Sequence, residues 1–295
     1  MDIRQMKYFH AIVKYKTFTK AAQLLHISQP SLSSQIKDLE KELGCVLFER
    51  TTKIVSLTEA GINFLKLITP ILEQENRIYQ EMEDLKEIGL KKVNIGILPS
   101  QVFLLPKIIL QFKKKYPNIA INIFEMGSKD MEKSLEKYDI HLGLTSPISY
   151  SKFLTYLPVY EEELFIIAPF DHPFKTYSHI TTSDLIGQDF ISYKEGYSLR
   201  EILLKVCSEA GFKPNIMYEC GRLETIRQLV ISGMGIAIVP ENYIRFAISD
   251  KMSIIKIVKS DIRRPLNIIM SKDRHYPKPV HDLKNYFFDF FIETS

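Results

Sequence analysis

The sequence predicts an α/β protein of three parts: an N-terminal winged helix-turn-helix, a long linker helix and a C-terminal domain of two lobes. Three observations predict this fold class. Short amphipathic helices precede a hairpin pattern, a heptad-like apolar spacing runs from residue 58 to residue 88, and strands alternate with helices from residue 91 onward. The chain has 295 residues, 45% of them hydrophobic and 25% charged, which excludes a disordered or fibrous protein.

The first two helices are short. Met6, Phe9 and Ile12 fall at helical spacing and predict an amphipathic first helix. Thr19 is predicted to cap a second helix over residues 20–25, in which two adjacent alanines let another helix approach closely.

A third helix and a hairpin follow. Ser28 is a good N-cap, and Pro30 is tolerated because its missing N–H lies in the first turn. One face of this helix is apolar at helical spacing, the opposite face is small and polar, and Gly44 ends the helix. Residues 45–48 and 54–57, joined by a polar turn, form a hairpin. Three helices and a hairpin make a winged helix-turn-helix.

The positive charge is concentrated in this region. Residues 1–58 hold nine Lys or Arg and five Asp or Glu, so the whole net charge of +4 lies there. A polyanion would therefore meet this part of the chain, although such an excess is also ordinary for a domain without a nucleic-acid partner.

One long motif runs through residues 17–36, 43–50 and 57–61, and further matching segments follow at residues 105–106, 112, 116–117, 138–140 and 229–241. This pattern resembles that of LysR-type transcriptional regulators and spans nearly the whole chain. The resemblance implies a sequence-specific DNA-binding regulator that is a dimer or a dimer of dimers. It also implies a periplasmic-binding-protein-like domain, with a small-molecule effector between two lobes that modulates DNA binding.

The resemblance places the DNA contacts on the third helix and the wing. The implied residues are Gln29, Pro30, Ser31, Ser33, Ser34, Lys37, Arg50, Thr51 and Lys53. The sequence departs from the family pattern in two places. Ser34 stands where the family usually has Arg, and Thr52 and Ile54 stand where the wing usually has Gly and a second basic residue. The wing is therefore predicted to hold phosphates mainly through Arg50 and Lys53.

The expected domains are residues 1–58 for DNA binding, 59–89 for the linker, and 90–295 for effector binding. In the linker, Phe64, Ile68, Ile71, Ile78, Met82 and Leu85 follow a heptad-like spacing that predicts a coiled-coil seam, as in the family's dimerisation helix. A helix that lies on its own domain is the alternative. Thr58 is placed to cap the helix, and Pro70 inside it predicts a kink.

The effector domain is expected to comprise lobe I, residues 90–161 and 267–295, and lobe II, residues 162–266. Segments 164–168 and 266–270 are predicted to be the strands that pass between the lobes. Ligands of such sheets bind at the carboxyl ends of strands and at helix N-termini. The polar residues expected there are Ser100, Gln101, Ser128, Thr145, Ser146, Gly196, Tyr197 and Ser198. For each residue taken alone, a simple helix cap is the favoured interpretation. Together they predict a site for a small polar effector, such as an organic anion.

The alternatives are a small-molecule-binding protein or an enzyme of the same two-lobed fold. The seven histidines are scattered, no nucleophile, phosphate-loop or metal motif occurs, and neither a cofactor nor a catalytic residue is expected. The three cysteines match no metal pattern, and a redox pair of Cys207 and Cys220 is the weaker alternative to reduced thiols. No apolar stretch reaches the length of a membrane span, and the N-terminus has no apolar signal region. A cytoplasmic protein is therefore expected.

Overall fold

The computed structural model describes residues 1–49, 55–85, 90–247, 251–258 and 263–294. The chain forms two compact units, Met1–Gln80 and Glu81–Ser295. None of the helices in the described ranges has the length and apolarity that a bilayer span requires.

The first unit has the predicted order of elements. Its elements are α1 (Ile3–Tyr15), α2 (Phe18–Leu24), α3 (Gln29–Leu43), β1 (Phe48–Glu49), β2 (Ser56–Leu57) and the start of α4 (Glu59–Asp84). Strands β1 and β2 are antiparallel. The predicted turn of the hairpin falls at residues 50–54, outside the described residues.

The helix ends follow the sequence with one exception. Ser28 accepts a hydrogen bond from the Ser31 N–H and caps α3, and Gly44 ends α3 in the left-handed conformation, with φ of 69°. The predicted cap of α2 at Thr19 is wrong. Thr17 is the cap because its backbone is extended and its hydroxyl accepts a hydrogen bond from the Lys20 N–H at 3.2 Å.

The core of the first unit includes the start of α4. The ring of Phe9 lies 4.9 Å from the ring of Phe48 and 5.0 Å from that of Phe64, centroid to centroid. Phe64 and Ile68 are buried in this core. Their predicted place in a coiled-coil seam is therefore wrong, because their own domain covers them. Further along α4, the predicted seam residues Ile71, Ile78, Met82 and Leu85 are all exposed.

The second unit alternates strands and helices. In chain order they are β3 (Lys92–Ile97), α5 (Leu105–Lys115), β4 (Ala120–Glu125), α6 (Ser128–Glu136), β5 (Leu142–Thr145), β6 (Leu154–Glu162), β7 (Leu164–Pro169), β8 (His179–Ile180), β9 (Asp189–Tyr193), α7 (Ser198–Glu209), β10 (Asn215–Cys220), α8 (Leu223–Ile231), β11 (Ala237–Pro240), α9 (Glu241–Ala247), β12 (Met252–Ile257), β13 (Arg264–Ser271) and α10 (Lys278–Thr294). A short 3-10 helix, Pro99–Leu104, precedes α5.

The strands form two separate sheet systems, each with its own apolar core. One sheet has the order β4-β3-β5-β13-β6, in which β3 is parallel to β4 and β5. The other system holds a sheet of order β11-β7-β12-β8 and the parallel pair β9–β10. The parallel strands predicted from the sequence are present.

The crossing between the two sheet systems differs from the prediction. Segment 164–168 lies wholly in one sheet as part of β7, and segment 266–270 lies wholly in the other as part of β13. The chain passes from one sheet to the other at Glu163, between β6 and β7. This places Glu162, the last residue of β6, beside Arg264, the first residue of β13, as direct cross-strand partners.

Candidate DNA-binding surface and effector site

The N-terminal part of α3 presents the predicted DNA-contacting residues to solvent. Leu32, Ile36 and Leu39 bury one face of α3 in the core. The predicted contact residues lie away from that face: Gln29, Pro30, Ser31, Ser34 and Lys37 are exposed and Ser33 is half-buried. A helix that is anchored on one face and polar on the other can enter the major groove with its N-terminal residues against the base edges.

The wing is attached to α3 through Glu40. Its carboxylate accepts hydrogen bonds from the N–H groups of Leu47 at 2.7 Å and Phe48 at 3.3 Å. These bonds set the start of the hairpin against the recognition helix. Arg50, Thr51 and Lys53, the predicted wing contacts, lie outside the described residues.

The first part of the candidate effector site is a small inner cavity in the second unit. Residues Leu98, Pro99, Ser100, Tyr193, Tyr197, Ser198, Leu199 and Arg264 line it. Its volume of 10 Å³ is about that of one water molecule. The rings of Tyr193 and Tyr197 stack at 4.9 Å and form one wall. The cavity joins Ser100, at the end of β3, to Ser198, at the start of α7.

A buried ion pair lies at this cavity. Arg264 is 1% exposed and Glu162 is 0% exposed. The Arg264 Nη1 atom lies 3.2 Å from the Glu162 Oε2 atom and donates a hydrogen bond to the Ser100 hydroxyl at 2.8 Å. The Gln101 amide donates to the other carboxylate oxygen of Glu162 at 2.7 Å. The guanidinium that lines the cavity is therefore neutralised by the buried carboxylate of Glu162, which is not itself a lining residue.

Burial raises the pKa of the Glu162 carboxyl, and the positive charge of Arg264 and the hydrogen bonds from Gln101 and Asn242 act against that rise. Arg264 keeps its proton, since a guanidinium is always charged in proteins. Burial also raises the pKa of the Tyr193 phenol, which therefore remains a neutral donor and acceptor.

Three residues that line the cavity carry a buried polar atom without a hydrogen-bond partner within the protein: Nε of Arg264 and the hydroxyls of Tyr193 and Ser198. Oε1 of Gln101 and Oγ1 of Thr145 are also buried without such a partner, although neither residue lines the cavity. Leaving one such group unpaired costs about 1–3 kcal/mol. A cluster of them is typical of a site that a polar ligand completes.

A wider outer pocket shares Ser198 with the inner cavity. It has a volume of 350 Å³, and its lining includes Ser146, Ile148, Glu201, Lys205 and Arg263. The outer pocket is thus large enough for most of a small metabolite, whereas the inner cavity holds one functional group.

The remaining predicted effector residues lie at the contact between the two sheet systems. The Ser128 hydroxyl donates to the Ser146 carbonyl at 2.7 Å. The Lys129 N–H, at the start of α6, donates to the Gly196 carbonyl at 3.2 Å. A Cβ atom on Gly127 would lie 2.7 Å from that same carbonyl oxygen. The Gly196 carbonyl therefore joins its side of the domain to the start of α6, whereas the Ser128 bond lies within one side, between α6 and the end of β5. Neither Ser128 nor Gly196 is in the lining of either pocket.

Sequence reasoning missed Arg264, Glu162 and Tyr193. Glu162 lies in a run of three glutamates and Arg264 in an Arg-Arg pair, and such runs usually indicate a solvated surface. Tyr193 offered a signal, because it ends a predicted strand next to Gly196 and Tyr197. The cross-strand pairing of β6 with β13, which buries the ion pair, has no local signature.

The end of α4 is anchored in the second unit by another buried cluster. Asp84 accepts a hydrogen bond from Arg274 Nε at 2.7 Å, and its other oxygen lies 3.3 Å from His141 Nε2. Arg274 also donates to the carbonyls of Tyr138 at 3.0 Å and Ile140 at 2.8 Å, just beyond the end of α6. The last residue of the linker helix is thereby tied to the segment that joins α6 to β5.

Neither Cys207 nor Cys220 has the lowered pKa of a reactive thiol. Burial raises the pKa of Cys207 to about 11 and also raises the pKa of Cys220, with Lys194 acting against the rise at Cys220. Thiols with raised pKa values carry little thiolate near neutral pH. Across the described ranges, no group of His, Cys, Asp and Glu side chains is arranged to hold a metal ion.

A helix-turn-helix unit followed by a two-sheet domain with a polar cleft defines a class of protein: a DNA-binding regulator with a ligand-binding domain. Residues 3–62 match the bacterial regulatory helix-turn-helix proteins of the lysR family, and residues 90–291 match the LysR substrate binding domain. The chain belongs to the LysR family of transcriptional regulators.

Individual relatives agree with this assignment. The chain is 30% identical to the uncharacterized HTH-type transcriptional regulator YybE of Bacillus subtilis (strain 168), over 99% of this chain and 100% of YybE. It is 34% identical to the Hca operon transcriptional activator HcaR of Escherichia coli (strain K12), over 81% of this chain and 82% of HcaR. Full-length CbnR complexed with its target DNA shares the fold, with a TM-score of 0.69 at 22% identity, over 98% of this chain and 100% of CbnR.

The protein is therefore a DNA-binding transcriptional regulator with an effector-binding domain. The predicted family, fold class and general function are confirmed.

Proposed function

We propose that the protein binds operator DNA through α3 and the wing, and that a small molecule in the cleft at Arg264 changes this binding. The observation that carries the effector half is the set of buried, unpartnered polar atoms on Arg264, Tyr193 and Ser198, which all line the inner cavity. In a regulator without a ligand at this place, these atoms would be a net cost to folding.

The DNA half of the proposal rests on exposure and on α3 geometry. Gln29, Pro30 and Ser33 are placed at the N-terminal end of the recognition helix to meet base edges, and Lys37, one turn further on, to meet a phosphate. Arg50, Thr51 and Lys53 of the wing are proposed as further contacts from the family resemblance alone. Ser31 and Ser34 complete the proposed surface.

The proposed role of each effector-site residue follows from its position in the second unit. Ser100, Ser198, Tyr193 and Arg264 orient one end of the ligand in the inner cavity, which they line. Gln101 acts indirectly, through its hydrogen bond to the Glu162 carboxylate that pairs with Arg264. Ser146 and Tyr197 line the path to it, and Thr145 offers an unpartnered hydroxyl at the end of β5. Gly196 acts indirectly, because its carbonyl accepts the Lys129 N–H bond that holds the cleft closed, and Ser128 acts indirectly by fixing the Ser146 carbonyl.

A second copy of the chain is the proposed partner of α4. Ile71, Ile78 and Met82 are 44%, 54% and 50% exposed on one side of this helix. Apolar residues repeated along an otherwise polar helix are typical of a helix that pairs with its own kind. The dimer would set the spacing of two DNA-binding units on the duplex. We also propose that the protein acts in the cytoplasm, where its DNA lies, and catalyses no reaction.

The test is a footprint on DNA from upstream of its own gene, with and without metabolites that raise the melting temperature. Ser198→Ala is expected to weaken binding of such a metabolite about tenfold, because the ligand would lose its hydrogen bond to the Ser198 hydroxyl. Ser208→Ala, an exposed position on the same helix α7, is the matched control. Equal affinity in wild type and Ser198→Ala would place the effector elsewhere.

A further inference from the structure

The outer pocket is lined by charges of both signs. Glu201 and Lys205 lie one turn apart on α7, and Arg263 lies just before β13. Lys205 pairs with Glu209 at 3.8 Å and Arg263 pairs with Glu163 at 3.8 Å, and neither of these glutamates lines the pocket. Glu201 is half-buried, and within the described part of the chain its carboxylate forms neither an ion pair nor a hydrogen bond. This carboxylate is therefore left to meet a ligand.

The start of α7 borders the same pocket. Ser198 is 3% exposed, and its hydroxyl lacks a hydrogen-bond partner within the protein. No side chain of the described residues caps the N-terminus of this 12-residue helix. The free N–H groups of a helix N-terminus attract a carboxylate, and the Ser198 hydroxyl adds a further donor. This end of the pocket therefore suits an acidic group of the ligand.

The spacing on α7 relates these two features. Ser198 and Glu201 are three residues apart, which places their Cβ atoms about 5–6 Å apart on one face of the helix. An α-amino acid carries its carboxylate and its ammonium group on the same carbon atom, so one such molecule can reach both residues. Ile148 and Ile202 line the same pocket and offer an apolar wall for its side chain.

We propose, resting on the proposed effector site, that the outer pocket binds an α-amino acid with an apolar side chain and that Glu201 selects its ammonium group. The ligand carboxylate lies at Ser198 and the start of α7, with Arg263 adding positive charge from a second element. The pocket volume of 350 Å³ accommodates such a molecule. The inner cavity has room for about one water molecule, so it can receive at most one oxygen of the carboxylate.

A simple organic acid fits the same pocket less well. Its carboxylate would meet Glu201 as a like charge, and it would leave that half-buried carboxylate without a partner. An amine without a carboxylate would in turn leave the Ser198 hydroxyl and the helix N-terminus unpaired. The zwitterion satisfies both ends of the pocket at once.

The test compares six amino acids with two derivatives of each. The probes are L-alanine, L-valine, L-leucine, L-isoleucine, L-methionine and L-phenylalanine, the acid of each that lacks the amino group, and the amide of each that lacks the carboxylate. Dissociation constants are measured by calorimetry, with the melting temperature as a second readout, for wild type, Glu201→Gln and Glu209→Gln. Glu209→Gln is the matched control, because it removes the same charge from the same helix outside the pocket lining.

In wild type and Glu209→Gln, at least one amino acid is expected to bind about tenfold more tightly than either of its derivatives, since each derivative loses a charged hydrogen-bonding group. Glu201→Gln is expected to weaken binding of that amino acid about tenfold and to bring it level with the acid that lacks the amino group. Wild type that binds this acid as tightly as the amino acid would overturn the proposal. An amino-acid affinity that Glu201→Gln leaves unchanged would overturn it as well.

A charge reversal provides an independent readout. Glu201→Lys places an ammonium group where the carboxylate stood, and it is expected to bind the acid that lacks the amino group about tenfold more tightly than the amino acid. The half-exposed position should accept either substitution, and urea unfolding checks that both variants fold. A folded Glu201→Lys protein with the wild-type preference would exclude contact between this residue and the ligand amino group.

Failure of the ligand class is distinguishable from failure of the effector site. If none of the six amino acids binds wild type at ~10 mM, the class is wrong. The site then still stands if another metabolite binds wild type more tightly than Ser198→Ala. A probe that binds wild type, Ser198→Ala and Glu201→Gln equally lies outside both pockets, and this result would show that the proposed effector site is wrong.

Discussion

Asp84, the last residue of the linker helix α4, accepts a 2.7 Å hydrogen bond from the buried guanidinium of Arg274 in the effector domain. The same guanidinium holds the carbonyls of Tyr138 and Ile140, which follow α6. The first residue of α6 is Ser128, which lies beside the cleft. One arginine therefore connects the cleft helix to the end of the linker.

Removing the guanidinium should destabilise the effector domain strongly. Arg274→Gln leaves the buried carboxylate of Asp84 without its cation, a change that typically costs ~3–5 kcal/mol of the free energy of unfolding. The measurement is urea unfolding followed by circular dichroism. Lys272→Gln, which removes an exposed charge on the same segment, should change stability by less than ~0.5 kcal/mol. Equal effects of the two variants would contradict the anchoring role.

The Asp84 carboxylate should contribute to the pH dependence of the free energy of unfolding at acid pH. Burial by itself would raise the pKa of Asp84, but the hydrogen bonds from His141 and Arg274 outweigh it, and the net pKa lies below its usual value of 3.8. A carboxyl with a lowered folded-state pKa stabilises the fold above its unfolded pKa, and this stability is lost as the pH falls through the folded value. Asp84→Asn should therefore flatten the loss of stability below about pH 4. If the free energy of unfolding of Asp84→Asn falls as steeply at acid pH as that of wild type, Asp84 is not the group responsible for the loss.

Two substitutions on α3 should separate base reading from phosphate binding. Gln29→Ala should cost ~1–3 kcal/mol on the preferred operator and relax its sequence preference. Lys37→Ala should weaken operator and unrelated DNA alike and lower the salt slope of binding by about one. Gel shifts on both DNAs at several salt concentrations measure this. An operator preference that survives Gln29→Ala would remove this residue from base recognition.

Charges placed on the exposed side of α4 should separate the copies of the chain. Ile71→Asp together with Ile78→Asp should give a smaller assembly by light scattering, because carboxylates would be buried in an apolar helix pair. The effector domain should keep its melting transition. The control is Ile186→Asp, an equally exposed isoleucine of the second unit. A wild-type mass of one chain at micromolar concentration would refute the dimer.

Gly127 should control closure of the cleft. In Gly127→Ala the new Cβ would lie 2.7 Å from the Gly196 carbonyl oxygen, too close for the contact between α6 and that turn to persist. We expect faster hydrogen exchange at the Lys129 amide and weaker binding of any ligand that needs the closed cleft. Gly221→Ala is the control, since the nearest atom that its Cβ would meet outside the adjoining residues is the Tyr197 hydroxyl oxygen, at 3.8 Å. Unaltered exchange at Lys129 would mean that the contact does not hold the cleft closed.

Much of the architecture follows from local signals in the sequence. Ser28 caps α3 and Gly44 ends it because capping and left-handed geometry depend on one or two residues. The error at Thr19 is of the same local kind, since Thr17 and Thr19 are chemically equal caps and only the backbone path selects between them. The alternation of strands and helices in the second unit is likewise set by periodicity.

Tertiary structure decides which members of a sequence pattern are buried. Phe64 and Ile71 lie on the same apolar pattern of α4, yet packing against Phe9 covers the first and leaves the second exposed. Glu161, Glu162 and Glu163 are identical in the sequence, and only the pairing of β6 with β13 buries the middle one against Arg264. Sequence alone thus determined the elements, the polar strand ends and the family pattern. The non-local pairing of β6 with β13 decided which charged residues form a buried ion pair, because that pairing joins residues far apart in the chain.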